Sequence, residues 1–433
     1  MYSKISYFLD DKLNVYQTPS SLEDFFLSRK FHKIDIDEIK KNRKKNFFTK
    51  IRKKILGYFS ILKKIRFILS PLTKKELMII DDITGELSFL LSKKNFYSLH
   101  SRFTNLNRIY INYDILKFIL LNFFKRKLKL NYLIAIIENI NPKVVLTFID
   151  NSNEFHFLSK FFDKRIDFFA IQNASRGDYN FASQSQIKKI FFQKLFCLGG
   201  FDIEFLKNLK ITGKFKEIGS FRTSIFITKF KDDLNQKKIF DICLIGKNLV
   251  KIVHSDKPYE DTIIPETLIF LENLKKYIRE KNLSLVICCK NYGFKQEAEE
   301  LFYKKFFDLR NITISSNGKD VNDSNYFNSY KNIIKSEIVI GLNSTILREA
   351  FFFDKKILCV DFSQKIIHPF KDISLCNSKS FKDFELKIDQ LSKMTHFDYL
   401  KKLNYPKNYI ITKSDTIHEI NTSINNGLNK KCT

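Results

Sequence analysis

The chain has 433 residues, more than one hydrophobic core usually holds, and 44% of them are apolar, so two globular domains are expected and disorder over the whole chain is excluded. Seventy-five Lys and Arg against 47 Asp and Glu leave a net charge of +28, which points to an anionic partner, although the abundance of Lys, Asn, Ile and Phe beside 12 Gly and 7 Pro also fits the bias of an AT-rich genome. Seven Cys without paired metal spacing imply a reducing compartment, and neither a secretory leader nor a run of about 18 apolar residues is found, so the expected location is cytoplasmic, soluble or peripheral at the inner membrane face.

Residues 1–75 form the first region. Between Lys40 and Lys75 stand 14 Lys or Arg and no acid, interleaved with Phe47, Ile51, Ile55, Phe59 and Leu62. That spacing predicts a basic amphipathic helix for which an anionic membrane surface is the candidate partner; a solvated helix packed on its own domain is the alternative.

Residues 76–228 read as a first doubly wound unit. Strands are expected at Glu76–Ile80, Ile109–Ile111, Lys143–Asp150, Asp167–Ile171 and Phe196–Leu198. Helices are expected at Leu87–Leu91, Ile115–Lys127, Tyr132–Ile140, Glu154–Phe162 and Gln186–Phe192. A polar linker, 229–238, leads to a second unit, 239–433. There the pattern predicts strands at Phe240–Ile245, Ser284–Cys288 and Ile312–Ser315, with helices at Pro265–Glu280 and Lys295–Phe307. The stretch SEIVIGLNSTILREAFFFDKKILCVDFS then reads as strand, polar turn, helix and strand. The expected class is α/β: two Rossmann-like domains facing a cleft.

Ligands of open parallel sheets bind beyond the carboxyl ends of the strands, so polar residues directly after apolar runs are the candidates. In the first unit these are Asp81, Asp150 with Asn151, and Gln172 with Asn173 and Arg176. Asp150 could take a proton from an attacking hydroxyl, or simply cap the next helix. In the second unit they are Lys247, Lys290, Asn343, Ser344, Thr345, Arg348 and Glu349. Ser344-Thr345 open a helix whose free amide groups suit a phosphate, and Lys247 and Lys290 could face a diphosphate. No phosphate loop, GxGxxG, nucleophile elbow, HExxH or Asp-x-Asp occurs, so metal-independent chemistry without a cofactor is expected.

The segments KVVLTFIDNSNEFHFLSKFF, FFAIQNASRGDY, EIGSFRTS and SEIVIGLNSTILREAFFFDKKILCVDF, within residues 76–365, resemble surface-carbohydrate (O-antigen or capsule) biosynthesis proteins. That resemblance implies a glycosyltransferase-B-like architecture and transfer of a sugar from a nucleotide-sugar donor to a polysaccharide or lipid-linked acceptor. It also places phosphate at Ser344 and Thr345 and the ribose at Glu349. Ala174 stands where the family pattern has Gly. Two other readings fit the residues: a nucleotide-sugar 2-epimerase, and a non-enzymatic basic protein binding anions or membrane. Nucleic acid is not an expected partner, because the basic run carries no recognised motif.

Overall fold

The structure is a computed structural model, and it describes residues 66–82, 84–100, 108–176, 187–246, 260–290, 294–364, 367–406 and 408–430. The expected basic helix lies mostly outside the described residues. Its described end is not helical: β1 (Arg66–Ile68) is a strand.

After β1 come β2 (Leu77–Ile80), α1 (Glu86–Leu90), β3 (Phe96–Leu99) and β4 (Arg108–Tyr110). Next are α2 (Tyr113–Leu121), α3 (Leu128–Ile140), β5 (Val144–Thr147), α4 (Asn153–Phe161) and β6 (Asp167–Ile171). The first unit continues with β7 (Phe191–Cys197), α5 (Gly200–Asn208), β8 (Thr212–Glu217) and α6 (Phe221–Lys229). Its main sheet is parallel in the order β3-β2-β5-β6-β7-β8, while β4 pairs only with β1. LMII, VVLT and FFAI are continuous apolar runs because helices cover both faces of such a sheet.

One expectation is overturned here. The helix read over Gln186–Phe192 is, over its described part, a single turn closed by Ile190 N donating to Ile187 O at 3.0 Å, and from Phe191 it is already strand β7, where Phe169 faces Lys194 and Ile171 faces Phe196 in register. The apolar positions Ile187, Ile190, Phe191 and Leu195 happen to fit a helical period, and sheet pairing decides against it.

The polar linker folds as a short 3-10 turn, Lys231–Asn235. The second unit holds β9 (Phe240–Ile245), α7 (Glu260–Lys281), β10 (Leu285–Cys288), α8 (Phe294–Phe307) and β11 (Ile312–Ser315). Then come α9 (Asn328–Ile334), β12 (Ser336–Leu342), α10 (Thr345–Phe352), β13 (Lys356–Val360) and β14 (Leu375–Cys376). This sheet too is parallel, in the order β11-β10-β9-β12-β13-β14. Its sequence order reverses between β9 and β12, and in the first sheet the corresponding point lies between β2 and β5. Those two switch points are where a doubly wound sheet opens a crevice.

Helices α11 (Phe381–Lys393) and α12 (His396–Leu403) complete the second unit. The chain then returns to the first. Thr412 N donates to Leu198 O at 2.8 Å, Gly200 N donates to Asn408 O at 3.0 Å, and α13 (Thr416–Leu428) buries Ile420 and Ile424 in the first unit's core. The sequence had placed this whole tail in the second unit. The crossing depends on Gly219, whose φ is 90° and whose added Cβ would lie 2.3 Å from Thr412 O.

Candidate functional site

The strand ends of the two sheets meet in a polar seam. On the second side, β12 runs through Asn343 into α10 at the switch point. Ser344 holds the N-cap position with extended backbone, yet its hydroxyl makes no capping bond. The Asn343 Oδ1 is buried and has no partner among the described residues. The first-turn amides and these two side chains together form a start with anion-binding character. Thr345 is engaged across the seam: its Oγ1 accepts from Ser175 N of the first unit at 2.8 Å.

Glu349 lies one turn along α10 and is buried, and its Oε1 accepts from Ser220 Oγ at 2.5 Å. The same Ser220 hydroxyl accepts from Thr223 N at 3.2 Å and so caps α6. Arg348, expected to meet the donor, is fully buried and faces the other way. Its Nη1 and Nη2 donate to Asp202 at 2.8 and 2.5 Å, and its Nε donates to Ile410 O at 2.9 Å. Gln172 Nε2 donates to the same Asp202 at 2.7 Å. Arg348 is therefore corrected from donor contact to interdomain bridge.

Asp150 is corrected as well. It is fully buried, and Arg176 grips both of its oxygens, with Nε donating at 2.7 Å to Oδ2. Arg176 also reaches Asn173 Oδ1, while Asn173 N donates to Asp150 Oδ1 at 3.3 Å. With both oxygens engaged by the guanidinium, Asp150 is occupied in holding Arg176 and is not turned to an attacking hydroxyl. It does not cap the next helix either, since Ser152 accepts from Phe155 N at 3.3 Å. Asn151 is exposed beside it.

Behind this cluster, His156 Nδ1 lies 3.1 Å from Phe191 O and the ring packs edge-on against Phe192. Burial holds its pKa below the usual histidine value.

At the end of β2, Asp81 is buried with φ 61°. Its neighbour Asp82 accepts from Leu87 N at 3.1 Å and Ser88 N at 2.7 Å, fixing the start of α1, and burial raises its pKa. Beyond α1's first residue a second charged group crosses the seam. Arg222 Nε donates to Glu86 Oε1 at 2.8 Å, and Tyr326 of the second unit donates its hydroxyl to the same oxygen. Burial alone would raise the Glu86 pKa, but Arg222 and the hydroxyls of Thr84 and Tyr326 hold it below the ordinary value.

Lys290, at the end of β10, is exposed at its side chain, and its backbone N donates to Glu299 at 3.0 Å. Lys247 lies outside the described residues. Among the described residues no three His, Cys, Asp or Glu side chains converge as a metal site.

Strand-end reasoning named Asp150, Asn173, Arg176 and Thr345 separately; the structure joins the first three in one cluster and sets Thr345 against Ser175 of the loop that carries Asn173 and Arg176. It missed Glu86, Ser175, Asp202, Ser220, Arg222 and Tyr326. The rule that picked Asp150 would have picked Asp202, which follows β7 in LGGFD. Arg222 and Ser220 lie in EIGSFRTS, noted for resemblance but without a role.

Two parallel six-stranded Rossmann-like sheets facing each other, with a final helix returning to the first, define a glycosyltransferase-B-like α/β protein. The UDP-GlcNAc 2-epimerase of Methanocaldococcus jannaschii, in complex with UDP-GlcNAc and UDP, has this fold: the TM-score is 0.51 at 12% identity, over 81% of this chain and 100% of that one. A UDP-N-acetylglucosamine 2-epimerase from Listeria monocytogenes matches with a TM-score of 0.49 at 11% identity, over 83% of this chain and 98% of that one. The wall teichoic acid polymerase TagF matches with a TM-score of 0.44 at 10% identity, covering 82% and 89%. No protein-family model matches the chain, and no curated protein does.

Proposed function

We propose that this chain is an enzyme that binds a nucleotide sugar at the start of α10 and transfers the sugar to a glycan or lipid-linked acceptor of a surface polysaccharide, without a metal or other cofactor. One observation carries the reading: an uncapped helix start lies at the switch point of the second sheet and faces the strand-end loops of the first. The diphosphate is assigned to Asn343, Ser344 and the first-turn amides, together with Lys247 and Lys290, which follow β9 and β10 in the sequence. Thr345 joins them once Ser175 lets go. Glu349 is assigned to the ribose, whose hydroxyl would replace that of Ser220. Asp81, Asn151, Gln172, Asn173 and Arg176 are assigned to the acceptor side, and Asp150 positions Arg176 instead of acting as base. A cytoplasmic protein held at the inner membrane face through residues 40–75 fits this chemistry.

A second reading, nucleotide-sugar 2-epimerisation, is favoured by the crowding of Glu86, Asp150, Asp202 and Glu349 at the seam with His156 behind them. Ligand class is shared: the Methanocaldococcus protein of this fold was captured with UDP-GlcNAc and UDP. Incubating the purified chain with a panel of sugar nucleotides and no acceptor separates the readings. A 2-epimer appearing by chromatography supports the second, binding or slow hydrolysis alone supports the first, and no binding to any member removes both.

A further inference from the structure

Helix α2 carries only two charged residues, Asp114 and Lys117, and apolar side chains dominate its outer side as well as its inner one. Its inner side buries Ile115 and packs Phe118 and Ile119 against the first unit's core, as a surface helix should. Its outer side, where charged residues belong, carries Tyr113, Leu116, Leu120 and Leu121, and the turn that follows adds Phe123 and Phe124. Leu120 is 73% and Phe124 97% exposed. The patch continues onto the small sheet, because Ile111 N donates to Ile68 O at 2.9 Å and brings the exposed Phe67 and Leu69 beside the start of α2. Nine of the 14 exposed large apolar side chains among the described residues fall between Phe67 and Leu128. The others are scattered over the second unit, so this is a contiguous surface and not the usual sprinkling.

Charge decides what covers it. Lys117, Lys125 and Lys127 are exposed around the apolar side chains, and none has a carboxylate partner among the described residues. Arg126 lies over the Phe161 ring at 4.9 Å. Asp114 is the one acid on α2. An apolar face rimmed by unpaired lysines would set like charges against each other in a pair of copies, and it matches an anionic bilayer, where aromatic and leucine side chains enter the acyl boundary and lysines meet headgroups. Among the described residues no helix is long and apolar enough to cross a membrane, so the attachment is at the surface. We propose that the outer face of α2 and the following turn, Tyr113 to Lys127, is a docking surface for an anionic lipid bilayer. This surface, Tyr113 to Lys127, adjoins the described end of the basic run 40–75 at Phe67 and Leu69, and it does not depend on the enzymatic reading.

Vesicle co-flotation of the full chain tests it, with phosphatidylglycerol-containing vesicles against pure phosphatidylcholine vesicles. The expected result is binding to the anionic vesicles that weakens as salt is raised. Leu120→Ser with Phe124→Ser should lower the partition coefficient at least about tenfold, because each removes an exposed side chain that the acyl boundary would bury. Lys125→Glu with Lys127→Glu should lower it by a similar factor on anionic vesicles and leave the neutral background unchanged. All four side chains are exposed, so circular dichroism and the urea midpoint should stay those of the parent. Wild-type protein that fails to float, variants that float like the parent, or a chain that is dimeric in solution and turns monomeric on Leu120→Ser would each overturn the proposal.

Discussion

Arg348→Met removes the guanidinium that joins the two units, and the methionine keeps most of the aliphatic volume, so the loss is chiefly electrostatic. Asp202 is left behind, buried. Its Oδ1 still accepts from Gln172 Nε2 at 2.7 Å and its Oδ2 from Gly199 N at 3.2 Å. Breaking a buried pair from one side costs about 3–5 kcal/mol, and two surviving donors put this variant near the lower end, at about 3 kcal/mol. Asp202→Asn should cost more, about 5 kcal/mol, because Arg348 keeps its charge with only neutral acceptors to face it: Ile410 O, the Ser175 hydroxyl at 3.4 Å and the remaining amide oxygen at position 202. The double variant should lose less than the sum of the two by about 2–3 kcal/mol.

The chain has no Trp, so urea unfolding is best followed by far-ultraviolet circular dichroism. A bridge between domains also predicts a shape change: the single variants should split one transition into two, as the units lose their coupling. A loss under about 1 kcal/mol for Arg348→Met, with nucleotide-sugar binding abolished, would refute this reasoning and return Arg348 to the donor site.

Other consequences are as direct. Asn343→Ala and Ser344→Ala should each weaken nucleotide-sugar affinity about tenfold by calorimetry, the worth of one bond to a charged group, and leave the urea midpoint in place. Gly219→Ala meets both a positive φ and the Thr412 carbonyl, and should cost at least about 2 kcal/mol and expose the final crossing to limited proteolysis. Burial lowers the Lys355 pKa to about 8, although its ammonium donates to Ile334 O and Ser336 O. Between about pH 8 and 10.5 the folded state then holds fewer protons than the unfolded one, so stability should rise with pH across that window. Because Lys355 is partly exposed, the gain is on the order of 1 kcal/mol, and the difference from Lys355→Met in urea midpoints read at several pH values isolates it.

Residues whose surroundings are set by chain-local pattern were legible in the sequence. Strands β6, β9 and β11 follow the bounds that apolar runs and turns predict; for β6 and β9 this is because a strand largely buried on both faces has little other composition available, whereas β11 is a half-buried edge strand. The helix start at Ser344-Thr345 was legible for the same reason. Strand β7 was legible only at its end, expected from Phe196; its first half was not, because the apolar spacing there suits either period and the choice is made by pairing with β6 and β8. The tail after Asn408 was assigned to the wrong unit because nothing local marks a chain that crosses back.

Site residues failed in a more instructive way. Strand-end position told which polar groups would stand at the seam, but the role of each depends on what faces it from the other unit. Arg348 and Glu349 are adjacent on one helix. One meets Asp202 and becomes a bridge, while the other meets neutral hydroxyls, those of Ser220 and Tyr330. A neutral hydroxyl can be exchanged for that of a ribose with little net change in hydrogen bonding, whereas an ion pair buried on both sides cannot be exchanged for a phosphate without stranding the carboxylate. The same distinction separates Thr345, held by one backbone amide, from Asp150, held by two guanidinium nitrogens. On the proposed reading a ligand enters along the weakly held contacts, Ser175 with Thr345 and Ser220 with Glu349, while the buried Arg348–Asp202 pair keeps the units in register and the Asp150–Arg176 pair fixes a loop within the first unit.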